Sequence, residues 1–572
     1  MDEKQKKLAE ELLFSGEKKP SFAKMLYFGI LDSDRVFPFP KLASGEREKV
    51  DEMLQKLNEF ADKEIDADAI DRQAAIPHAV IHGLAEMGIL GMTVPKEYGG
   101  LGMSQMAYCK VMEALAQKCV STALYVNVHQ SIGLKSLLLF GTDKQKNQWL
   151  KPLALGECTA AFALTEANAG SDAGGVETTA EYDEEKKCYR INGRKQWITN
   201  GGIAKVLTVM AKTNEKITAF LVTPDMAGFK VETKALEKVG MKGTWTAVLT
   251  FDNMEVPEEN IIGPKGSGLR VALTVLDFGR ITFGSTCTAM AKFCVERAVE
   301  YAKRRHQFDR PLASFPLVKK KLACMAAYTY AMDAATLLTA GLLDSGEHDV
   351  MLEAAILKVF ASEASWKILY DTMQIYGGKS FFTDQPFERL MRDARLNMIG
   401  EGANEVLQAF IGVVGMRDVG VQMKGARDSL ANPLGDMGEL WRFLKTTYYR
   451  MSAPKVPVKS ADIQKEASRL GKSIKRFGSM IARLLVRHKE EIIEKQLLLD
   501  RVANGAAALY TSSAVLSKVD SEIQAGEKGN VETAKLYVLL ALDKFDREME
   551  TMFDNRDEEI EALSDKLSGI AE

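Results

Sequence analysis

The spacing of apolar residues changes period twice along this chain, and that change limits the folds open to it. From Glu46 to about Gly156 the apolar positions recur at helical intervals, as in Val50, Met53, Leu54, Leu57 and Phe60, then Ile81, Leu84 and Met87. Near Gly156 the period shortens to that of a strand and stays so to about Pro264. Val206–Met210, Ile217–Val222 and Thr246–Phe251 are rich in β-branched and aromatic residues, and Tyr189–Ile198 reads as a hairpin with Asn192-Gly193 at its tip. After Gly268 the helical period returns and persists to the end. The pattern predicts a mainly α protein with a central β-domain: an extension over 1–45, a helical domain over 46–156, the β-domain over 157–267, a helical bundle over 268–430, and a linker with a further helical domain over 431–572.

A chain of 572 residues is too long for one core, and 46% hydrophobic with 27% charged residues is ordinary globular material. A formal net charge of −3 gives no global basis for nucleic-acid binding. The seven cysteines are scattered without a C-x-x-C pair, which reads as reduced thiols in an intracellular protein. His78 and His82 stand four apart, but Ala79 occupies the place of the glutamate of a zinc-protease helix, so no metal site is expected. No apolar run approaches the roughly 18–20 residues that span a bilayer. The first twenty residues mix acids and lysines without a signal or transit pattern, predicting a bacterial cytoplasmic chain or a processed organellar one.

The stretch from Leu396 to Gln408 carries the candidate chemistry. Glu401 sits between Gly400 and Gly402, just before a helix expected to start near Ala403. Glycines let backbone approach a ligand closely and adopt dihedrals closed to other residues. Alone, a Glu-Gly before a helix is a solvated turn. Together with Gln374-Ile375-Tyr376-Gly377-Gly378, Glu388–Arg395, Phe162–Asp172 and Trp197–Gly202, it resembles the acyl-CoA dehydrogenase family, most closely its very-long-chain branch, over nearly the whole chain.

The resemblance implies FAD as cofactor and Glu401 as the base that removes the α-proton of a fatty acyl-CoA. It implies that Phe162, Leu164, Thr165, Gly170 and Ser171 wrap the flavin, that Ser171 also touches substrate, that Trp197 covers one ring face and that Thr199 bonds near N5. Strand alternation would point Trp197 and Thr199 to the same side. Arg305, with Phe308, reaches the pyrophosphate of the neighbouring subunit's FAD, where a guanidinium fork suits phosphate oxygens. Gln374, Gly377 and Gly378 contact the adenine side across a homodimer, and Ala403, Asn404 and Glu405 complete the cofactor site. Asp277, Arg280 and Gly402 contact substrate. Ala167, Ser380, Gly400 and Ala403 depart from the family's usual Pro, Gly, aromatic and Thr. No G-x-G-x-x-G opens a βαβ unit, which disfavours NAD chemistry.

Gly133 and Ser136 lie three apart on one predicted helix face. That spacing admits two readings, a groove for a long acyl tail, as in the family, or close helix packing. Beyond the boundary at Met451–Val458, Gly471–Leu499 reads as one amphipathic helix. Ile474, Phe477, Ile481, Leu484 and Leu485 lie on one arc, and Lys472, Arg476, Arg483 and Arg487 on another. Packing accounts for it as well as seating on an anionic membrane surface does, and the very-long-chain branch uses such a domain peripherally. The function implied is dehydrogenation of long-chain fatty acyl-CoA with electrons passing to an electron-transferring flavoprotein. The alternatives are an acyl-CoA oxidase or a weakly catalytic assembly protein of the same fold.

Overall fold

The computed structural model describes residues 20–347, 349–431 and 452–569. The reading of the first nineteen residues, and part of the linker, lie outside them. A short helix α1 (Phe22–Tyr27) precedes the helices α2 (Ser44–Glu64), α3 (Ala67–Gln73), α4 (His78–Glu86), α5 (Gln105–Lys118) and α6 (Val120–Asn127). A π turn (Val128–Gly133), α7 (Leu134–Phe140) and α8 (Asp143–Ala154) follow. Local chemistry marks several starts. Asp66 accepts from the backbone N–H groups of Asp68 and Ala69, and Thr142 and Gln145 form a reciprocal capping box. Val50, Leu57 and Ala61 bury one face of α2.

Among the described residues eight strands form a single sheet in the order β6-β7-β3-β2-β4-β5-β8, with β1 paired in parallel to β4. They are β1 (Ala160–Ala163), β2 (Thr179–Asp183), β3 (Cys188–Ile198), β4 (Val206–Thr213), β5 (Lys216–Val222), β6 (Phe229–Thr233), β7 (Ala247–Pro257) and β8 (Ile261–Ile262). The expected hairpin at Asn192-Gly193 is not there. β3 runs unbroken through both residues and pairs with β2 on one side and β7 on the other. A register shift against β7 falls at that dipeptide, and a Cβ on Gly193 would lie 2.3 Å from Thr178 Oγ1. The glycine therefore answers a close approach inside the sheet, a use that short-range pattern cannot separate from a turn.

The bundle contains α9 (Gly268–Arg304), α10 (Pro316–Asp344), α11 (Met351–Tyr376), α12 (Phe387–Leu396) and α13 (Asn404–Ala431), with a two-stranded ribbon between α9 and α10. The last helices are α14 (Gln464–His488), α15 (Gln496–Gln524), α16 (Val531–Glu550) and α17 (Asp557–Ser568). Gly471–Leu499 is thus not one helix. Lys489 takes φ +51°, a 3-10 turn covers Lys489–Glu494, and α15 starts afresh at Gln496. No Gly or Pro marks this break, so periodicity runs through it.

Nor do these C-terminal helices fold around a core of their own. Phe477, Ile481, Leu484 and Leu499 belong to the same continuous apolar cluster as Leu357, Leu369 and Ile411 of the bundle. The described part of the segment read as an N-terminal extension is a wedge within that cluster. Tyr27 packs edge-on to Phe477 at 5.0 Å and donates its hydroxyl to Ile411 O at 2.8 Å. Ala23 N–H donates to the buried Glu353 Oε1 at 2.8 Å. The aromatic residues of this segment, Phe22, Tyr27 and Phe28, were the available sign of such burial. Among the described residues no helix is long and apolar enough to cross a membrane.

Candidate active site

Between α12 and α13 the chain turns through Glu401 and Gly402, which take φ of +57° and +101°. A glutamate in the left-handed region costs on the order of 1–3 kcal/mol and persists only where its surroundings impose it. Two cations from different helices do so here. Arg280 Nε of α9 donates to Glu401 O at 3.2 Å, and Lys358 Nζ of α11 donates to Gly402 O at 2.6 Å and Asn404 Oδ1 at 2.8 Å. Glu401 N–H donates to no backbone carbonyl among the described residues.

Held this way, the Glu401 side chain lies against Gly279 of α9. A Cβ at Gly279 would meet Oε2 at 2.6 Å and Oε1 at 3.0 Å, and Ile132 of the π turn at 3.0 Å. Oε2 is buried with no hydrogen-bond partner. Burial pushes the carboxyl up to about 7, against the pull of Arg280 and Lys358. Burial likewise raises Asp277 to about 7, although Arg280 Nη1 donates to its Oδ1 at 3.2 Å. For Glu401 in its expected role as a base, which must be deprotonated to act, kcat/KM of the free enzyme should climb with pH through about 7 and level off above it. A pH–rate profile on the wild type and Asp277→Asn checks this. A limb that disappears in Asp277→Asn belongs to Asp277 instead.

The second half of the site rests on the start of the β-domain. After β1 the chain forms the loop Leu164–Asp172, clamped by its own Glu166. That carboxylate accepts from Glu177 N–H at 2.6 Å, Thr178 N–H at 3.1 Å, Thr178 Oγ1 at 2.6 Å and Lys195 Nζ at 2.5 Å. Lys195 also donates to Leu164 O at 2.9 Å. Burial alone would raise Glu166, but the Lys195 charge and these bonds outweigh it and hold the carboxyl low. Burial draws Lys195 down to about 8. Gln196 N–H donates to Thr165 O at 3.0 Å, which ties the loop to the residue beside Trp197.

Trp197 itself takes φ +57° at a bulge and is 63% exposed. The alternation expected for Trp197 and Thr199 fails for this reason: the register shifts between Lys195 and Ile198, and the strand ends at Ile198 before Thr199. Phe162 and Leu164 are buried, Thr165 and Thr199 half-buried, and Gly170 and Ser171 exposed. The π turn joins the two halves. Ile132 borders Gly279, while His129 Nδ1 accepts from Ala160 N–H of β1 at 3.0 Å.

Profiles of the acyl-CoA dehydrogenase N-terminal, middle and C-terminal domains match residues 47–157, 161–254 and 266–415, and an ACAD9/ACADV C-terminal domain matches 461–572. The chain belongs to the acyl-CoA dehydrogenase family. Its members are flavin-dependent oxidoreductases that use FAD, and the helical–sheet–helical order above is the acyl-CoA dehydrogenase fold. The very long-chain specific acyl-CoA dehydrogenase of Macaca fascicularis mitochondria is 35% identical over 525 residues, covering 88% of this chain and 80% of that one. An acyl-CoA dehydrogenase from Bacillus anthracis complexed with FAD superposes with a TM-score of 0.78 at 27% identity, covering 92% and 91%. Butyryl-CoA dehydrogenase of Megasphaera elsdenii gives 0.62 at 32% identity, covering 66% and 99%.

Within this acyl-CoA dehydrogenase the remaining expected residues divide into three groups. Arg305, Phe308, Gln374, Gly377 and Gly378 are all exposed, with Phe308 at φ +52° and 87% exposed. No hydrogen bond or ring contact among the described residues joins them to Thr165 or Trp197 within the chain. Ala403 is half-buried and Glu405 exposed at the mouth of α13. Asn404 departs from its expected cofactor role, because its amide is committed inside. It accepts from Lys358, donates to Ser362 Oγ at 3.0 Å and to Glu363 Oε1 at 3.4 Å.

Gly133 and Ser136 do not open a groove. A Cβ on Gly133 would stand 2.8 Å from Ala160 Cβ, and Ser136 Oγ bonds Gly133 O at 2.9 Å and Thr208 Oγ1 at 2.5 Å. They pack α7 onto the sheet. Ser136→Ala is expected to lower stability by about 1–3 kcal/mol by orphaning Thr208, read by urea unfolding, with chain-length preference unchanged. Sequence reading missed Lys358, Lys195 and Gly279. Gly279 stands next to Arg280 in the sequence, but nothing local shows which atom it makes room for.

Proposed function

We propose that the protein catalyses the α,β-dehydrogenation of long-chain fatty acyl-CoA thioesters to trans-2-enoyl-CoA, with an electron-transferring flavoprotein as acceptor. The observation that carries this reading is the buried, unpartnered Glu401 Oε2 on a strained loop clamped by Arg280 and Lys358. The residues present fit an FAD. Trp197 offers an open ring face at the end of β3, and Thr165 and Ser171 offer hydroxyls on the adjoining loop. Bound FAD supplies a two-electron acceptor for the hydride that leaves the β-carbon.

Glu401 takes the α-proton. An ordinary glutamate, near about 4.3, is too weak a base for this. Its elevation to about 7 narrows the gap, and the free Glu401 N–H stands ready to donate to the thioester oxygen as negative charge develops there. Exclusion of water by the acyl chain raises the basicity further. Asp277 and Arg280, on the wall next to Glu401, bind and orient the CoA thioester.

The exposed Arg305, Phe308, Gln374, Gly377 and Gly378 support a homodimer in which each subunit completes its neighbour's FAD site. Phe381 and Phe382, 84% and 65% exposed, lie on the same surface stretch. Peripheral membrane contact is assigned to the outer face within Gly471–Leu499. Ile474, Phe477, Ile481 and Leu484 are buried, so the contact belongs to exposed Lys472, Arg483 and Arg487. Because the core is continuous, the test is Lys472→Glu with Arg483→Glu and Arg487→Glu rather than truncation. The reading holds if the triple variant loses binding to anionic vesicles, and an unchanged partition removes it.

The test of the main reading is anaerobic titration of the FAD-loaded protein with saturated acyl-CoAs of increasing length. Flavin absorbance is expected to bleach, most completely with long chains. No bleaching with any acyl-CoA would defeat the assignment, and rapid peroxide formation without an acceptor flavoprotein would replace dehydrogenase by oxidase.

A further inference from the structure

A cavity of about 680 Å³ lies away from Glu401, between the bundle helices α10, α11 and α13 and the C-terminal helices α15 and α16. Its volume falls within the roughly 300–1,000 Å³ of ordinary ligand pockets. The hollow exists because small side chains, Ala503 and Ala507 on α15 and Ala541 on α16, face the larger Met325, Tyr328 and Phe360 of the bundle. At this join of two helical layers, close packing would otherwise be expected.

The polar lining is predominantly basic. Lys320, Lys321, Lys367 and Lys544 border the cavity against only two carboxylates, Glu363 and Asp371. Asp371 is already engaged by Lys321, and by Lys367 at 2.5 Å. Lys544 donates to Asn504 Oδ1 at 2.9 Å. Lys320 is exposed, and no described residue pairs with it. The charge of Lys544 is met by Glu363, Asp500 and Glu548, which leaves Lys320 as the spare cation of the lining. An apolar hollow with one spare cation at its edge matches a single-chain amphiphile with an anionic head. It does not match a neutral lipid or a polar metabolite.

We propose that this cavity is a second lipid site, which takes the alkyl chain of a long-chain fatty acyl anion in the apolar hollow and its head at Lys320. The choice of a fatty acyl ligand rests in part on the function proposed above; the site itself does not, being defined by its lining. Glu363 on the cavity wall is the acceptor of Asn404 Nδ2, and Asn404 in turn accepts from Lys358, which holds Gly402. The wall of this cavity is therefore three hydrogen bonds from the loop that carries Glu401.

The experiment is equilibrium binding of radiolabelled palmitate to the full-length FAD-loaded protein, with the active site saturated by a short-chain acyl-CoA that has no α-hydrogens and too few carbons to fill the apolar hollow. The site predicts that palmitate still binds. Ala507→Phe should weaken binding at least tenfold, and Lys320→Glu severalfold. Hexadecanol, with the same chain and no charge, should bind at least tenfold more weakly than palmitate. Lys320 is exposed and unpaired, so its variant keeps the fold if Ala507→Phe does not. Displacement by palmitoyl-CoA would identify the thioester as occupant, and its absence the free acid; either keeps the site. Loss of palmitate binding when the active site is filled, or equal binding by wild type and Lys320→Glu, overturns the proposal. Binding needs no turnover, so a protein that binds palmitate here yet bleaches with no acyl-CoA sinks the function above and leaves this site standing.

Discussion

Glu401→Gln is expected to lower kcat with long-chain acyl-CoA by about 10²- to 10⁴-fold, the usual worth of a positioned general base, while FAD content is unchanged. The substitution keeps side-chain length and shape and removes only the ability to accept a proton. Its clamp is a hydrogen bond from the Arg280 Nε side chain to the Glu401 backbone carbonyl, and so survives. The readout is stopped-flow absorbance of the oxidised flavin under anaerobic conditions. The variant should stay yellow when mixed with substrate, whereas wild type bleaches. Bleaching at the wild-type rate would show that another group takes the α-proton, and Asp277, also raised by burial to about 7, would be the next to test.

Gly279→Ala should cost on the order of 10² in kcat/KM, because the new methyl claims the space of the carboxylate. Its Cβ would fall 2.6 Å from Glu401 Oε2 and 3.0 Å from Oε1, well inside van der Waals contact. Glu401 must swing away, and a displacement near 1 Å at a reacting group costs about that factor. The same change places alanine inside α9, which favours helix by about 1 kcal/mol over glycine. Melting temperature should therefore hold or rise as activity falls, a combination that general disruption of the fold does not produce. Wild-type kcat/KM in this variant would mean that the carboxylate does not act from the position it holds here.

The parts of the fold legible in the sequence were those governed by near neighbours along the chain. The period of Val50, Met53, Leu54, Leu57 and Phe60 predicted a helix, and Val206–Met210 predicted a strand, because each pattern records the burial of one element. The loop Leu164–Asp172 and the Glu401 turn were legible through resemblance, as distinctive runs. Asn192-Gly193 misled because a glycine permits a turn and a close backbone approach alike, and only the position of Thr178 across the sheet chose between them. Gly471–Leu499 misled because Lys489 turns left-handed without Gly or Pro to announce it.

By itself the sequence determined the order of helical and strand blocks and the residues able to serve as base and flavin contacts, since composition and spacing are properties of the chain. Tertiary structure alone decided that Arg280 and Lys358 from two helices would hold the Glu401 loop, that Gly279 would leave room for its carboxylate, and that Gly133 and Ser136 would pack rather than open. It also decided that Phe22, Tyr27 and the C-terminal helices would share one core with the bundle. Each of these depends on which atoms meet across more than a hundred residues of chain or across a packed layer, and local periodicity carries no record of those distances.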